Sequence, residues 1–174
     1  MATMVEQDSM IQAAVAEFRE EASITKRVLD RVPGDKLTWK PHEKSMSLGQ
    51  LALHVATVPG SLARILQQDS FDAAKASFVP AQPKNLEEIF AACDQSMRAA
   101  EQFLSELTPQ QASAKWHLRK GDKELFARPR VEVVRSIMLN HWYHHRGQLS
   151  VYLRLLEVPV PVIYGRSADE DPFV

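Results

Sequence analysis

The sequence has little of three features that would assign a protein to a class at once. Cys93 is the only cysteine in 174 residues, so no disulfide can form within the chain. The formal net charge is −1, which gives no electrostatic basis for binding nucleic acid or an anionic membrane. No apolar run approaches the length of a membrane span, and residues 1–21 lack the basic start and apolar centre of a signal peptide. These absences predict a cytoplasmic protein with neither a nucleic-acid partner nor a membrane partner.

The composition is that of an ordinary globular protein. Apolar residues make up 45% of the chain and charged residues 25%, both close to the average for soluble domains. A chain of this length can bury a substantial hydrophobic core without dividing. We therefore expect one domain that spans residues 1–174.

Apolar side chains recur every three to four residues over four stretches, which is the spacing of amphipathic helices. These stretches are residues 4–32, 47–68, 85–107 and 129–157. They predict an all-α fold, a four-helix bundle. Residues 69–84 predict a long, irregular crossover between helices 2 and 3, and residues 116–126 a short extended excursion before helix 4.

The second helix carries two local signals. Ser47 followed by Gln50 fits a capping box, in which each side chain accepts a hydrogen bond from the other residue's backbone. The pair Pro59-Gly60 interrupts the helical pattern and predicts a kink about one turn after His54.

Histidines concentrate in the fourth helix, which contains His141, His144 and His145. At about 100° per residue, His141 and His145 project from the apolar stripe of this helix, where a buried imidazole needs a polar partner. Imidazoles at positions i and i+4 can share one metal ion. His54 lies on the inner side of helix 2 and can bring a third ligand. The pattern therefore predicts a metal site built from His54, His141 and His145.

Three imidazoles leave a coordination position of a divalent ion open to water or substrate. Zinc and nickel suit histidine ligands, and iron is also compatible. The ion could activate water for hydrolysis or an exogenous thiol for group transfer, and the sequence leaves both reactions open. We expect the open position to face a pocket between helices 2 and 4, lined by residues such as Leu51, Val58 and Tyr152.

Three polar residues are candidates to assist this site. Tyr152 lies on the same stripe two turns beyond His145, and its hydroxyl could donate to a substrate or act as a general acid. Gln50, one turn before His54, and Gln148, close to His145, could each fix the orientation of an imidazole.

Other conspicuous residues have structural interpretations. His144 is expected on the flank of the helix, at the mouth of the site. Trp142 faces away from the histidines and is expected to pack or to contact a second subunit. Arg146 is expected in a structural ion pair, with an anionic substrate group as the alternative. Cys93 is expected to act as a small buried hydrophobe.

Two blocks of the sequence resemble the DinB family of metal-dependent helical bundles. The first is residues 39–56, WKPHEKSMSLGQLALHVA. The second is residues 141–149, HWYHHRGQL, followed by Leu155, Val158-Pro159 and residues 161–165, PVIYG. The resemblance implies one metal histidine on the second helix and an H-x-x-x-H pair on the fourth, which correspond to His54, His141 and His145.

The resemblance also implies function and assembly. It implies a DinB/YfiT-like bundle, a homodimer, and a small-molecule substrate, with a relation to transferases that use low-molecular-weight thiols such as bacillithiol or mycothiol. The expected function is thus a metal-dependent hydrolase or thiol S-transferase. The alternative is a damage-inducible stress-response protein, a dimer that a metal stabilises and that has no catalysis of its own.

Overall fold

The computed structural model of the chain describes residues 4–77 and 80–173. Its helices are α1 (Met4–Leu29), α2 (Leu48–Leu66), α3 (Leu86–Glu106), the short α4 (Pro109–Ser113), α5 (Arg130–Val133) and α6 (Asn140–Leu155). A π-helical segment, Val134–Leu139, joins α5 to α6, so residues 130–155 form the predicted fourth helix. The prediction of four long helices is confirmed. Within the described ranges, no helix has the length and apolarity needed to cross a membrane.

The start of α2 confirms the predicted capping box. The Gln50 backbone N–H donates to Ser47 Oγ at 3.1 Å, and the Ser47 backbone N–H donates to Gln50 Oε1 at 2.9 Å. These bonds satisfy two backbone donors at the helix end and fix where α2 begins. The position of His54 along the bundle follows from this start.

The crossover and the excursion share one small sheet, which the sequence pattern did not reveal. Its strands are β1 (Ser70–Asp72), β2 (Lys115–Lys120) and β3 (Lys123–Pro129). β2 and β3 form the predicted extended excursion as an antiparallel hairpin, and β1 in the crossover pairs in parallel with β2. The Asp72 carboxylate accepts hydrogen bonds from the backbone N–H groups of Gly121 and Ala74, which lowers the pKa of Asp72. The crossover is therefore tied to the turn of the hairpin.

The buried face of α6 is not the one that apolar periodicity predicts. Its fully buried residues are Trp142, Arg146, Leu149 and Leu153. This face is centred away from His141 and His145, so the two histidines lie at the edge of the core instead of within it. Arg146, paired with Glu21, occupies a core position on this face. A pattern based on apolar residues alone does not include an arginine, so it places the buried face elsewhere.

Two residues of α2 and α3 bring these helices into close contact. A Cβ atom on Gly60 would lie 2.7 Å from Ser96 Cα, a distance that only glycine permits. The Gly60 backbone N–H donates to Ser96 Oγ at 2.9 Å. α3 thus fixes the middle of α2 about one and a half turns beyond His54.

After α6 the chain crosses α1 and α6 without regular structure. Its acidic residues pair with two arginines: Glu170 with Arg31, in the turn after α1, at 2.5 Å, and Asp169 with Arg154 of α6. These ion pairs hold the C-terminal segment against the bundle.

Candidate metal centre

His54, His141 and His145 converge at the edge of the bundle, between α2 and α6. The Nε2 atoms of His54 and His141 are 3.0 Å apart. One ring nitrogen from each of the three residues lies within 4.8 Å of the others. Nitrogens on a tetrahedral ion, with bonds of about 2.0–2.1 Å, are separated by about 3.3 Å. The donor set therefore fits a divalent transition metal with small adjustments of the rings.

The helical framework explains this convergence. His141 and His145 are one turn apart on α6, and their ring centroids are 4.5 Å apart. His54, from α2, completes the triangle with its ring centroid 4.4 Å from that of His145. His54 and His145 are half-buried and His141 is exposed. The cluster consequently has one side that solvent or a ligand can reach.

Gln148 orients one of the imidazoles, as predicted. His145 Nδ1 lies 2.7 Å from Gln148 Oε1, and because a carboxamide oxygen only accepts, Nδ1 carries the proton. The lone pair of His145 is then on Nε2, the nitrogen left for a metal.

Gln50 does not have the predicted role beside His54. Its oxygen accepts from the Ser47 backbone, and its amide nitrogen donates to the Pro80 carbonyl at 3.1 Å. Both ends of the side chain are therefore occupied in capping α2 and holding the crossover.

The cluster favours neutral imidazoles. Burial, followed by the charges of His145 and His141, lowers the pKa of His54 to about 4. Partial desolvation is also the main cause that lowers the pKa of His141 and of His145, and neighbouring histidines add to it. At neutral pH all three rings are thus in the deprotonated form that binds metal ions.

A groove of about 590 Å³ lies beside His54, between α2 and the crossover. Its lining residues are Met46, Gln50, Leu53, His54, Thr57, Ser61, Ser77, Pro80 and Ala81. The predicted lining was wrong for Leu51 and Val58, which are 0% and 4% exposed and belong to the core. The hydroxyl of Tyr152 donates to the carbonyl of Met46 at 3.3 Å, so this side chain contacts a residue of the groove. Its catalytic role stays a prediction.

A second cavity, of about 620 Å³, lies elsewhere in the fold. It is formed around the ends of α2 and α3, by α4 and by Arg130, and none of the three histidines lines it. Of these two cavities, only the smaller groove is lined by one of the three histidines, His54.

Trp142 links the two helices that carry the histidines. It is fully buried, its ring stacks on Phe18 with centroids 5.6 Å apart, and its Nε1–H donates to the Val55 carbonyl at 3.0 Å. The predicted packing role is confirmed, and the predicted contact with a second subunit is wrong because the side chain has no exposed surface.

Arg146 has a structural role. Its guanidinium is 1% exposed, lies 2.5 Å from Glu21 Oε2, and donates to Thr25 Oγ1 and to the hydroxyl of Tyr164. The ion pair with Glu21 fixes α6 against α1, and the hydrogen bond to Tyr164 fixes it against the C-terminal segment. The alternative of an anion-binding arginine does not apply.

The two remaining sequence candidates lie outside the triangle. His144 is exposed, and its ring centroid is 4.9 Å from that of His145, which agrees with a flanking position. Cys93 is 4% exposed on α3, and burial raises the pKa of its thiol to about 11. A thiol with this pKa is a structural group, as expected.

The DinB family model matches residues 4–171, nearly the whole chain. The chain belongs to the DinB family. Among solved structures it is similar to a DinB-like protein from Bacillus cereus ATCC 10987, with a TM-score of 0.64 and 22% sequence identity, covering 88% of this chain and 97% of that one. It is also similar to a DinB-like protein from Bacillus subtilis, with a TM-score of 0.64, 18% identity, and coverage of 89% and 99%.

These structural likenesses establish the fold of this DinB family member and not its activity, because the sequence identities are low. No curated protein matches the sequence.

Proposed function

We propose that this DinB family protein is a metal-dependent enzyme, in which His54, His141 and His145 hold one divalent ion and the adjoining groove takes a small-molecule substrate. The observation that carries the proposal is the convergence of three ring nitrogens from two helices within 4.8 Å. Imidazoles at the edge of the core can form hydrogen bonds with water, so three imidazoles that face one another are better explained by a shared ion.

Some residues of the chain would hold the metal ion, and others would position its ligands and the substrate. A bound divalent ion would supply a Lewis acid that lowers the pKa of water or of a thiol. Gln148 keeps the Nδ1 proton of His145 in place and leaves Nε2 free. His54 belongs both to the cluster and to the lining of the groove, so a substrate in the groove would contact one of the three ligands.

The lining of the groove favours a thiol nucleophile over water. None of its residues in the described part of the chain is an aspartate or a glutamate that could take a proton from water. The Thr57 hydroxyl donates to the Leu53 carbonyl, and Gln50 is engaged at both ends. A thiol, with an ordinary pKa near 8.5, loses its proton far more readily than water. A thiol-dependent S-transferase is therefore favoured over a hydrolase.

The test is a turnover assay of the zinc- and nickel-loaded protein with an electrophile and a panel of low-molecular-weight thiols, beside an ester hydrolysis assay. We expect thiol-dependent turnover that His145→Ala abolishes and that His144→Ala, the matched control on the same helix, retains. Metal-loaded wild-type protein without turnover of either kind would favour the non-catalytic, metal-stabilised alternative.

A further inference from the structure

The carbonyl of Val55 is left without its helical partner by the sequence of α2. In an α-helix the backbone N–H of residue 59 would donate to the carbonyl of residue 55, but Pro59 has no N–H. The indole Nε1–H of Trp142 donates to this carbonyl at 3.0 Å, in a buried contact between α2 and α6. A side chain of one helix thus completes the hydrogen bonding of the other.

The location of this bond relates it to the histidines. Val55 directly follows His54, and Trp142 directly follows His141. The Nε2 atoms of His54 and His141 are 3.0 Å apart. The bond therefore connects the two helices one residue away from two of the three candidate metal ligands.

The indole is itself held in a fixed orientation. Its ring stacks on Phe18 of α1, and the side chain has no exposed surface. The other partner of the bond, the Val55 carbonyl, belongs to α2, which is held by the contact of Gly60 with Ser96 of α3. The Trp142–Val55 bond thus joins two constrained segments, so it can define their separation.

We infer that Trp142 is a positioning residue for the three-histidine centre, acting through its hydrogen bond to the carbonyl that Pro59 leaves free. This inference rests on the proposed metal site. Loss of the bond lets α2 and α6 shift relative to each other, which weakens a shared metal site more than it weakens the fold.

Trp116 provides a matched control for removal of one indole N–H. It is 3% exposed, and its Nε1 has no hydrogen-bond partner among the described residues. Trp116→Phe and Trp142→Phe each remove a buried indole N–H and keep an aromatic ring. Only Trp142→Phe also removes a hydrogen bond.

The experiment measures zinc affinity by competition with a chromophoric chelator, with the cobalt absorption spectrum as a report on coordination geometry. Thermal unfolding of the metal-free proteins confirms that each variant folds. We expect Trp142→Phe to raise the Kd for zinc by about tenfold, the low end of the range for residues that support metal ligands, and to alter the cobalt spectrum. Trp116→Phe should change the Kd by less than about twofold.

Pro59→Ala tests the source of the free carbonyl. It restores a backbone N–H that competes with Trp142 for the Val55 carbonyl, so we expect weaker zinc binding from this variant alone. In its background, Trp142→Phe should have a smaller effect than in the wild type, because neighbours that share one interaction are not additive. If Trp142→Phe fails to fold, Pro59→Ala alone carries the test, and zinc binding equal to wild type overturns the inference.

The outcomes separate this inference from the proposed function. Zinc binding by wild type with equal affinities in Trp142→Phe and Trp116→Phe overturns the positioning role alone. Absence of zinc binding by wild type overturns the proposed function, and the positioning role with it.

Discussion

His145 donates a hydrogen bond from Nδ1 to Oε1 of Gln148 across 2.7 Å. The two residues lie three positions apart on α6, so the contact is made within one helix and does not depend on the rest of the fold. It assigns the proton of His145 to Nδ1 and leaves Nε2 for the shared centre.

Replacement of Gln148 should weaken metal binding without unfolding the protein. Gln148→Ala leaves His145 free to rotate and to change tautomer, and we expect a loss of about 10–100-fold in zinc affinity. Gln148→Glu, whose carboxylate accepts a stronger hydrogen bond, should retain the wild-type affinity or exceed it. Competition titrations measure both variants, with the exposed Gln102→Ala as control. Unchanged affinity in Gln148→Ala would refute the orienting role.

The metal-free protein should lose stability in acid through the histidine cluster. The pKa of His54 is about 4 in the folded protein and about 6.5 in an unfolded chain. Between these values the unfolded state binds more protons, so the free energy of unfolding rises with pH across this window and is lost as pH falls through it. Urea unfolding from pH 4 to pH 7 should show a shallower pH dependence for His54→Ala than for wild type. Identical pH dependences would contradict the lowered pKa.

Arg146 and Glu21 form a buried ion pair that should be sensitive to removal of one partner. Arg146→Met leaves the Glu21 carboxylate buried at 9% exposure without its cation, and we expect a loss of about 3–5 kcal/mol in the free energy of unfolding. Replacing both residues, as in Arg146→Met with Glu21→Leu, should recover part of this loss. Chemical denaturation measures the free energy of unfolding of the wild type, of Arg146→Met and of the double variant. A loss no larger than that of Arg19→Ala, which breaks an exposed ion pair with Glu101, would show that the buried pair contributes little.

Cys93 should resist modification in the folded protein. Burial, with a smaller effect of the Asp94 charge, raises the pKa of its thiol to about 11, so little thiolate is present at pH 8. Iodoacetamide at pH 8 should label the native protein slowly and the urea-unfolded protein completely, as mass spectrometry can measure. Rapid labelling of the native protein would show that α3 opens locally around Cys93.

The four long helices and the histidine triangle could be predicted because their signals are local and repeated. Apolar periodicity defines the helices over many turns, and Ser47 with Gln50 marks the start of α2. His141 and His145 are one turn apart in the sequence, so their proximity follows from helical geometry. His54 could be predicted as the third member because helical periodicity places it on the inner side of the second helix, and the resemblance to the DinB family indicates the same residue.

The remaining features depend on contacts that a local pattern does not encode. β1 is only three residues long and pairs with a strand more than forty residues away. The burial of Arg146 depends on Glu21 of α1, and the π-helical turn before Asn140 changes the phase that a count of 100° per residue assumes. The groove is lined by residues of the crossover as well as of α2, so its composition follows only from the tertiary structure.

The most direct test of the metal centre is elemental analysis of protein purified without a histidine tag, with wild type beside His54→Ala, His141→Ala and His145→Ala. We expect about one divalent ion per chain in the wild type, none in the three variants, and full retention in His144→Ala. Wild-type protein that binds no ion even after exposure to zinc and nickel, with all variants equally stable, would contradict the account. The three histidines would then be a hydrogen-bonded cluster at the edge of the core.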